Sequence, residues 1–197
     1  MQPLIVYYSH SGTNEKLAIE LRDRIGCDMH EIKEKKKRKN ISILFDFLFK
    51  RNSRLESIDF DISDYGPIIL LAPIWGGKIA APMRTFIKRE KEKLTDYSFI
   101  TICYGVAGQR EKIISELSAL TANKPAAVAE LWINNLLPEE QRNKIKYASK
   151  FKVEKQHLQQ FDTEIKFFIE MALHTSRNVP DSQGGEAKGK TTLDWQI

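Results

Sequence analysis

Leu4-Ile5-Val6-Tyr7-Tyr8-Ser9-His10-Ser11-Gly12-Thr13-Asn14 opens the chain. Five apolar, β-favouring residues, 4 to 8, end in a polar turn of small hydroxyl residues around one glycine. The period then changes. Leu17, Ala18, Leu21 and Ile25 recur at three- and four-residue spacing, and Gly26 supplies a stop. The pattern is strand, polar turn, helix.

The same grammar continues along the chain. Strand-like apolar runs lie at Met29 to Ile32, Pro67 to Ala72, Ser98 to Tyr104 and Ala126 to Ile133. Between them the spacing predicts a helix over 82–94, opened by Pro82 with Met83, Phe86 and Ile87 on one face. A second runs from Gln109 to Leu120 with Ile113, Ile114, Leu117 and Leu120. Leu158, Phe161, Ile165, Phe168, Ile169 and Ala172 form the clearest amphipathic stripe, and it reads as core packing. Five strands apolar enough to be buried on both faces, alternating with helices, predict an α/β protein: a doubly wound five-stranded parallel sheet with helices on both faces. Residues 1–175 read as one domain, and 176–197, polar and without periodicity, as a flexible tail.

Composition narrows the class. A chain of 197 residues, 42% apolar and 29% charged, is large enough for one core and too apolar to stay disordered. No apolar run approaches the roughly 18 to 20 residues of a membrane span, and the chain starts directly on a strand-like run, so we expect a cytoplasmic protein without a signal peptide. Cys27 and Cys103 lie beside or within apolar runs, with no CxxC or Cys/His cluster, and read as buried free thiols rather than metal ligands. The net charge of +5 is concentrated in Lys33, Lys35, Lys36, Lys37, Arg38, Lys39 and Lys50. No aromatic or RNA-binding signature interleaves them, so a solvated loop or helix start is the better reading than a nucleic-acid patch.

In open α/β sheets, ligands bind outside the carboxyl ends of the strands where strand order reverses. Three turns converge there. In the first, Ser9 to Asn14, free amides at a helix start and hydroxyl side chains suit a phosphate monoester; the alternative is that Ser11 or Thr13 merely caps the helix. His10 would act there through its backbone amide rather than its imidazole. The second, Pro73-Ile74-Trp75-Gly76-Gly77-Lys78, sets an indole beside two glycines and suits a flat conjugated ring; the alternative is Trp75 as ordinary core. The third, Tyr104-Gly105-Val106-Ala107-Gly108, reads as a tight turn that keeps side chains away from a ligand, or as loop punctuation.

The opening Tyr7 to Asn14 resembles the phosphate-binding turn of the flavodoxin family, and Ala72 to Ile87 resembles the corresponding loop and helix of flavodoxin-like reductases. The resemblance covers about residues 1–135 and the last helix. It implies strand order 2-1-3-4-5 and an FMN site. Ser9, His10, Ser11, Gly12, Thr13 and Asn14 would face the phosphate. Pro73, Ile74, Trp75, Gly76, Gly77 and Lys78 would run along the isoalloxazine, and Tyr104, Gly105, Val106 and Gly108 along its other edge. Asn14 departs from the family pattern, which carries a second hydroxyl residue in many members. No side-chain acid or base need be catalytic, because the flavin does the redox chemistry. Lys78 is a candidate cation for the N1 edge of the reduced ring, against the alternative of a solvated lysine.

The implied activity is an FMN-dependent oxidoreductase passing electrons from NADH, NADPH or a redox-protein donor to a small acceptor such as a quinone. An electron carrier of flavodoxin type is the alternative, and a non-redox regulatory or interaction module a further one. Carriers of that type are usually acidic, so +5 leans towards the enzyme or an acidic partner.

Three segments stand apart. Gly184 to Thr191 matches GxxxxGK[ST] literally, but a polar linker precedes it and six residues follow, so the strand and helix that the phosphate-cradling mechanism needs are missing. Residues 40–49 are apolar on more than one face if helical, and a homodimer is one way to cover the second face. Residues 134–156 read as an extra helix or a lid.

Overall fold

The computed structural model describes residues 1–35 and 53–174. The apolar segment 40–49, the basic run beyond Lys35 and the tail with its Gly184 to Thr191 string lie outside the described residues. In chain order the strands are β1 (Leu4–Tyr7), β2 (Asp28–Glu31), β3 (Ile68–Leu71), β4 (Ile74–Trp75), β5 (Lys78–Ile79), β6 (Tyr97–Cys103) and β7 (Val128–Trp132). Five of them form one sheet in the order β2-β1-β3-β6-β7, every neighbouring pair parallel. With the separate β4–β5 hairpin set aside, this is the expected order 2-1-3-4-5.

Side chains of a strand alternate between faces, and here each face has its own core. Leu4, Val6, Ile68, Leu70 and Phe99 point to one side and pack against helices α2 (Ala81–Glu90) and α3 (Gln109–Thr121) through Met83, Phe86, Ile87, Ile113 and Leu117. Ile5, Tyr7, Ile69, Leu71, Ile100 and Ile102 point to the other. They meet Leu17, Ala18 and Leu21 of α1 (Thr13–Ile25) and Ile165, Phe168 and Ala172 of α4 (Asp162–His174). Full burial of each such aliphatic side chain is worth about 1.5–3 kcal/mol, so the pattern fixes both helix layers.

The strands differ from expectation at the edges. β1, β3 and β6 are buried along their whole length, whereas β2 carries exposed Asp28 and Glu31 around half-buried Met29 and His30. As a terminal strand it has one neighbour, so full burial on both faces is neither required nor found. The loop expected after β3 is instead partly a hairpin, because Gly76 and Gly77 both take positive φ, 55° and 74°. Two consecutive left-handed residues give the turn whose twist matches paired antiparallel strands. Gly26 ends α1 as expected, at φ 71°, its N–H donating to the Arg22 carbonyl at 2.7 Å.

Residues 134–156 form neither a continuous helix nor a detached flap. They run through the short helices Ile133–Leu136, Glu139–Gln141 and Ile145–Ala148 and reach Val153, which is buried with Leu17 and Leu21 in the α1-side core. Lys16 of α1 holds the end of this stretch, donating to the Val153 carbonyl at 2.8 Å and to Glu154 at 2.6 Å. Among the described residues no helix is long and apolar enough to cross a membrane.

Candidate functional site

Adjacent parallel strands deliver their following turns to the same end of the sheet. β1, β3 and β6 are consecutive in space, so the turns at 9–14, 73–79 and 104–108 meet at one edge. β1 stays bonded to β3 up to the turn, with Tyr8 N–H donating to the Leu71 carbonyl at 2.9 Å. Trp75 closes the gap between the first two turns. Its ring meets Tyr8 edge-on at 5.9 Å between centroids and His10 at 5.8 Å, with interplanar angles of 86° and 90°.

The first turn settles one of the alternatives read from the sequence. Gly12, just before α1, holds φ 83° and caps the helix without a side-chain hydrogen bond. Neither Ser11 nor Thr13 is the capping residue. Their hydroxyls lie 3.3 Å from each other at the surface, and the Ser9 Oγ is buried without a hydrogen-bond partner among the described residues. A buried hydroxyl left unpaired costs free energy comparable to a lost hydrogen bond, which is tolerable where a ligand supplies the partner. His10 is exposed, and its imidazole contacts Trp75, so the side chain has a structural part that its backbone amide alone does not explain.

Asn14 does not face outward with the hydroxyls. It is 3% exposed, and its Oδ1 accepts the Ile102 N–H of β6 at 3.1 Å. Its side chain belongs to the scaffold beneath the turn.

In the second turn Pro73, Ile74 and Trp75 are half-buried, and Gly76 and Lys78 are exposed. The two glycines serve the hairpin turn directly. A Cβ on Gly77 would meet nothing within 4 Å, so conformation rather than crowding selects glycine there. Glu116 of α3 reaches this hairpin: its Oε2 accepts the Ile79 N–H at 2.9 Å, and its Oε1 lies 3.8 Å from Arg84. Burial raises the Glu116 pKa above the ordinary carboxylate value, opposed by that N–H and by the charges of Arg84, Lys78 and Lys88.

The third turn is shaped from below. Gly105 has φ 93°, and a Cβ there would stand 2.4 Å from Cγ of Trp132 at the end of β7. The glycine is needed for that indole, whatever lies on the outer side. Val106 is half-exposed, at 50%, and Gly108 at φ 72° starts α3 without a side-chain cap, as Gly12 starts α1. Beneath the turn Cys103 is enclosed with Gln109 and Glu130, both within hydrogen-bonding reach. Burial first, then the Glu130 charge, pushes its thiol up to about 12.

A cleft of about 340 Å³ lies elsewhere, between Met29–Lys33 and Leu55–Phe60, with His30 stacked on Phe60 at 4.0 Å. None of the three turns lines it. The convergent backbone of the three turns and the unpartnered Ser9 hydroxyl, not cavity size, make the turn edge the candidate site.

A parallel sheet ordered 2-1-3-4-5, with its crevice where the order reverses between β1 and β3, is the flavodoxin arrangement. Solved structures share it. Over 76% of this chain and 99% of the other, the structure matches a flavoprotein of Lactobacillus acidophilus NCFM in complex with FMN, at TM-score 0.55 and 19% identity. It matches a candidate flavoprotein of Bacteroides eggerthii DSM 20697 at TM-score 0.60 and 14% identity, over 84% of this chain and 98% of that one. The fold is flavodoxin-like. No protein-family model matches the chain, and no curated protein matches it.

On this flavodoxin-like frame, sequence reading missed the residues that work from below. Glu116 was legible in principle, since it is an acid within the apolar stripe Ile113, Leu117 and Leu120 of α3. A charge on a buried stripe needs a partner, and here the partner is a hairpin amide. Trp132 and Glu130 carried no such signal, because their partners are distant in sequence and meet only once β6 and β7 pair.

Proposed function

We propose that this chain is an FMN-binding oxidoreductase whose cofactor sits across the carboxyl ends of β1, β3 and β6. The observation that carries the reading is the first turn: a helix start capped by glycine alone, with Ser9, Ser11 and Thr13 hydroxyls that no helix cap uses. Backbone amides and hydroxyls in that arrangement suit a phosphate monoester, and the helix dipole adds to the attraction. The FMN complex of the Lactobacillus flavoprotein, of which 99% is covered, supports FMN over other phosphates.

Ser9, Ser11 and Thr13 would hold the phosphate. Trp75 on its hairpin and Tyr104 to Gly108 would flank the ring, the half-exposed Val106 giving it an apolar edge. FMN, when bound, supplies reversible one- and two-electron transfer. The chain's own part is to bind it, orient it and limit water at its inner edge. Lys78 is exposed on the hairpin, and its charge is one of those that oppose the rise in the Glu116 pKa.

The donor is proposed to be a reduced nicotinamide or a redox protein, and the acceptor a small molecule such as a quinone. The +5 net charge supports this over a carrier that docks through an acidic face. The two cysteines, both free and buried, suit a reducing compartment such as the cytoplasm. Titration of the purified full chain with FMN, followed by anaerobic mixing with NADH and NADPH, tests the reading. Flavin quenching on binding, then bleaching by a nicotinamide, is the expected result. Binding without bleaching by either nicotinamide favours the carrier or a protein donor, and absence of flavin binding overturns the proposal.

A further inference from the structure

The hairpin that carries Trp75 has an amide it cannot satisfy itself. In antiparallel pairing, ladder hydrogen bonds fall on alternate residue pairs. The turn-closing pair is Trp75 and Lys78, and Ala80 N–H donates to the Pro73 carbonyl at 3.0 Å, so the intervening pair, Ile74 and Ile79, turns its polar groups outward. Ile79 is 1% exposed, and water does not reach its N–H. The acceptor is a side chain 37 residues away, the carboxylate of Glu116. Glu116 stands on the same helix that the third turn begins, and its other oxygen faces Arg84 at the start of α2. One side chain thus ties the second turn to the helix of the third.

We propose that Glu116 is the positioning residue of the flavin site, holding the β4–β5 hairpin on which Trp75 would flank the ring. This rests on the FMN reading above and adds the element that sets the ring-side half of the site. Glu116 acts through the Ile79 amide rather than on the ligand itself. The role needs an acceptor oxygen at that place and does not need its charge.

Two substitutions separate acceptor from bulk. Glu116→Gln keeps an oxygen of the same reach, and Glu116→Met keeps the stem and volume without one. In the full chain without flavin, amide exchange at Ile79 should accelerate about tenfold or more in Glu116→Met and stay within about threefold of wild type in Glu116→Gln. Affinities for FMN and riboflavin should fall together in Glu116→Met, by about tenfold, because the ring and not the phosphate has lost its support, and Glu116→Gln should restore both. Glu116→Asp, one methylene short, gives the same pattern at smaller amplitude if Glu116→Met is too unstable to assay. Unchanged Ile79 exchange in Glu116→Met overturns the proposal, as does equal damage by Met and Gln, or a loss confined to FMN. A wild-type chain that binds no flavin would instead remove the reading beneath it, while the exchange comparison still decides whether Glu116 holds the hairpin.

Discussion

Asn14 crosses over the end of β3 to Ile102: its Oδ1 accepts the Ile102 N–H at 3.1 Å, although α1 follows β1 and Ile102 lies on β6, two strands away. The reason is a missing rung. β3 leaves the sheet after Leu71, which pairs with Ile100, so no β3 residue stands opposite Ile102. Asn14 fills that place and fixes the hydroxyl turn above the gap between the strands. Replacing Asn14 by Leu should leave a buried N–H unpaired and lower stability by about 1–3 kcal/mol in urea unfolding. Asp, which keeps the acceptor, should cost less. Equal loss for Leu and Asp would mean that the oxygen is not what matters.

Gly105 and Gly77 both hold positive φ, yet their substitutions should differ. Alanine at Gly77 meets open space and bears only the conformational cost, about 1–2 kcal/mol. Alanine at Gly105 adds a Cβ 2.4 Å from the Trp132 indole and 2.8 Å from its Cβ, so β7 or the turn must move. The expected loss is clearly larger than at Gly77, typically a further 1–3 kcal/mol from overpacking. Thermal unfolding of the two variants side by side checks the order.

The protein's two thiols should be silent in the folded state. Burial pushes Cys27 up to about 11 and Cys103 up to about 12, from ordinary values near 9. At pH 8 the thiolate fraction is then about one in a thousand or less, and an aromatic disulfide reagent should label neither until denaturant is added. The sign for stability follows. A thiol whose folded pKa is raised favours the native state while protonated, so that contribution is complete below pH 9 and is lost as pH rises from 9 towards 12. Cys103→Ala should flatten this part of the stability profile. Labelling of the native protein at pH 8 would contradict the enclosed geometry around Cys103.

Much of this architecture was legible in the sequence, and the divisions have physical causes. Burial on both faces leaves an unbroken apolar run, so β1, β3 and β6 stand out, and their order along the chain brings the three turns together. β2, as an edge strand, shows half that signal. The glycines of the second and third turns were visible as glycines, but their reasons were not: Gly76 and Gly77 serve a two-residue turn, and Gly105 clears Trp132, which is 27 residues away. Asn14 looked like one more polar residue of the first turn, because nothing local distinguishes a side chain that faces a ligand from one that faces a distant strand amide.

Trp75 gives an optical report on the assembled edge. It touches Tyr8 and His10, so in the flavin-free protein Trp75→Phe should remove an emission component sensitive to substitution of His10. His10→Ala should alter that component and leave the unfolding midpoint almost unchanged, since His10 is exposed. Emission indifferent to His10 would place the two rings apart in solution.

If Ser9 to Thr13 hold a phosphate, the chain should distinguish FMN from riboflavin, which lacks it. Affinities for both are read by flavin fluorescence on the wild-type chain and on Ser11→Ala/Thr13→Ala. Two hydrogen bonds to a charged group are worth about 3 kcal/mol or more together, so the double variant should bind FMN about 100-fold more weakly and riboflavin almost as before. Equal losses for the two flavins, or a wild-type chain that does not distinguish them, would rule out phosphate binding at the first turn.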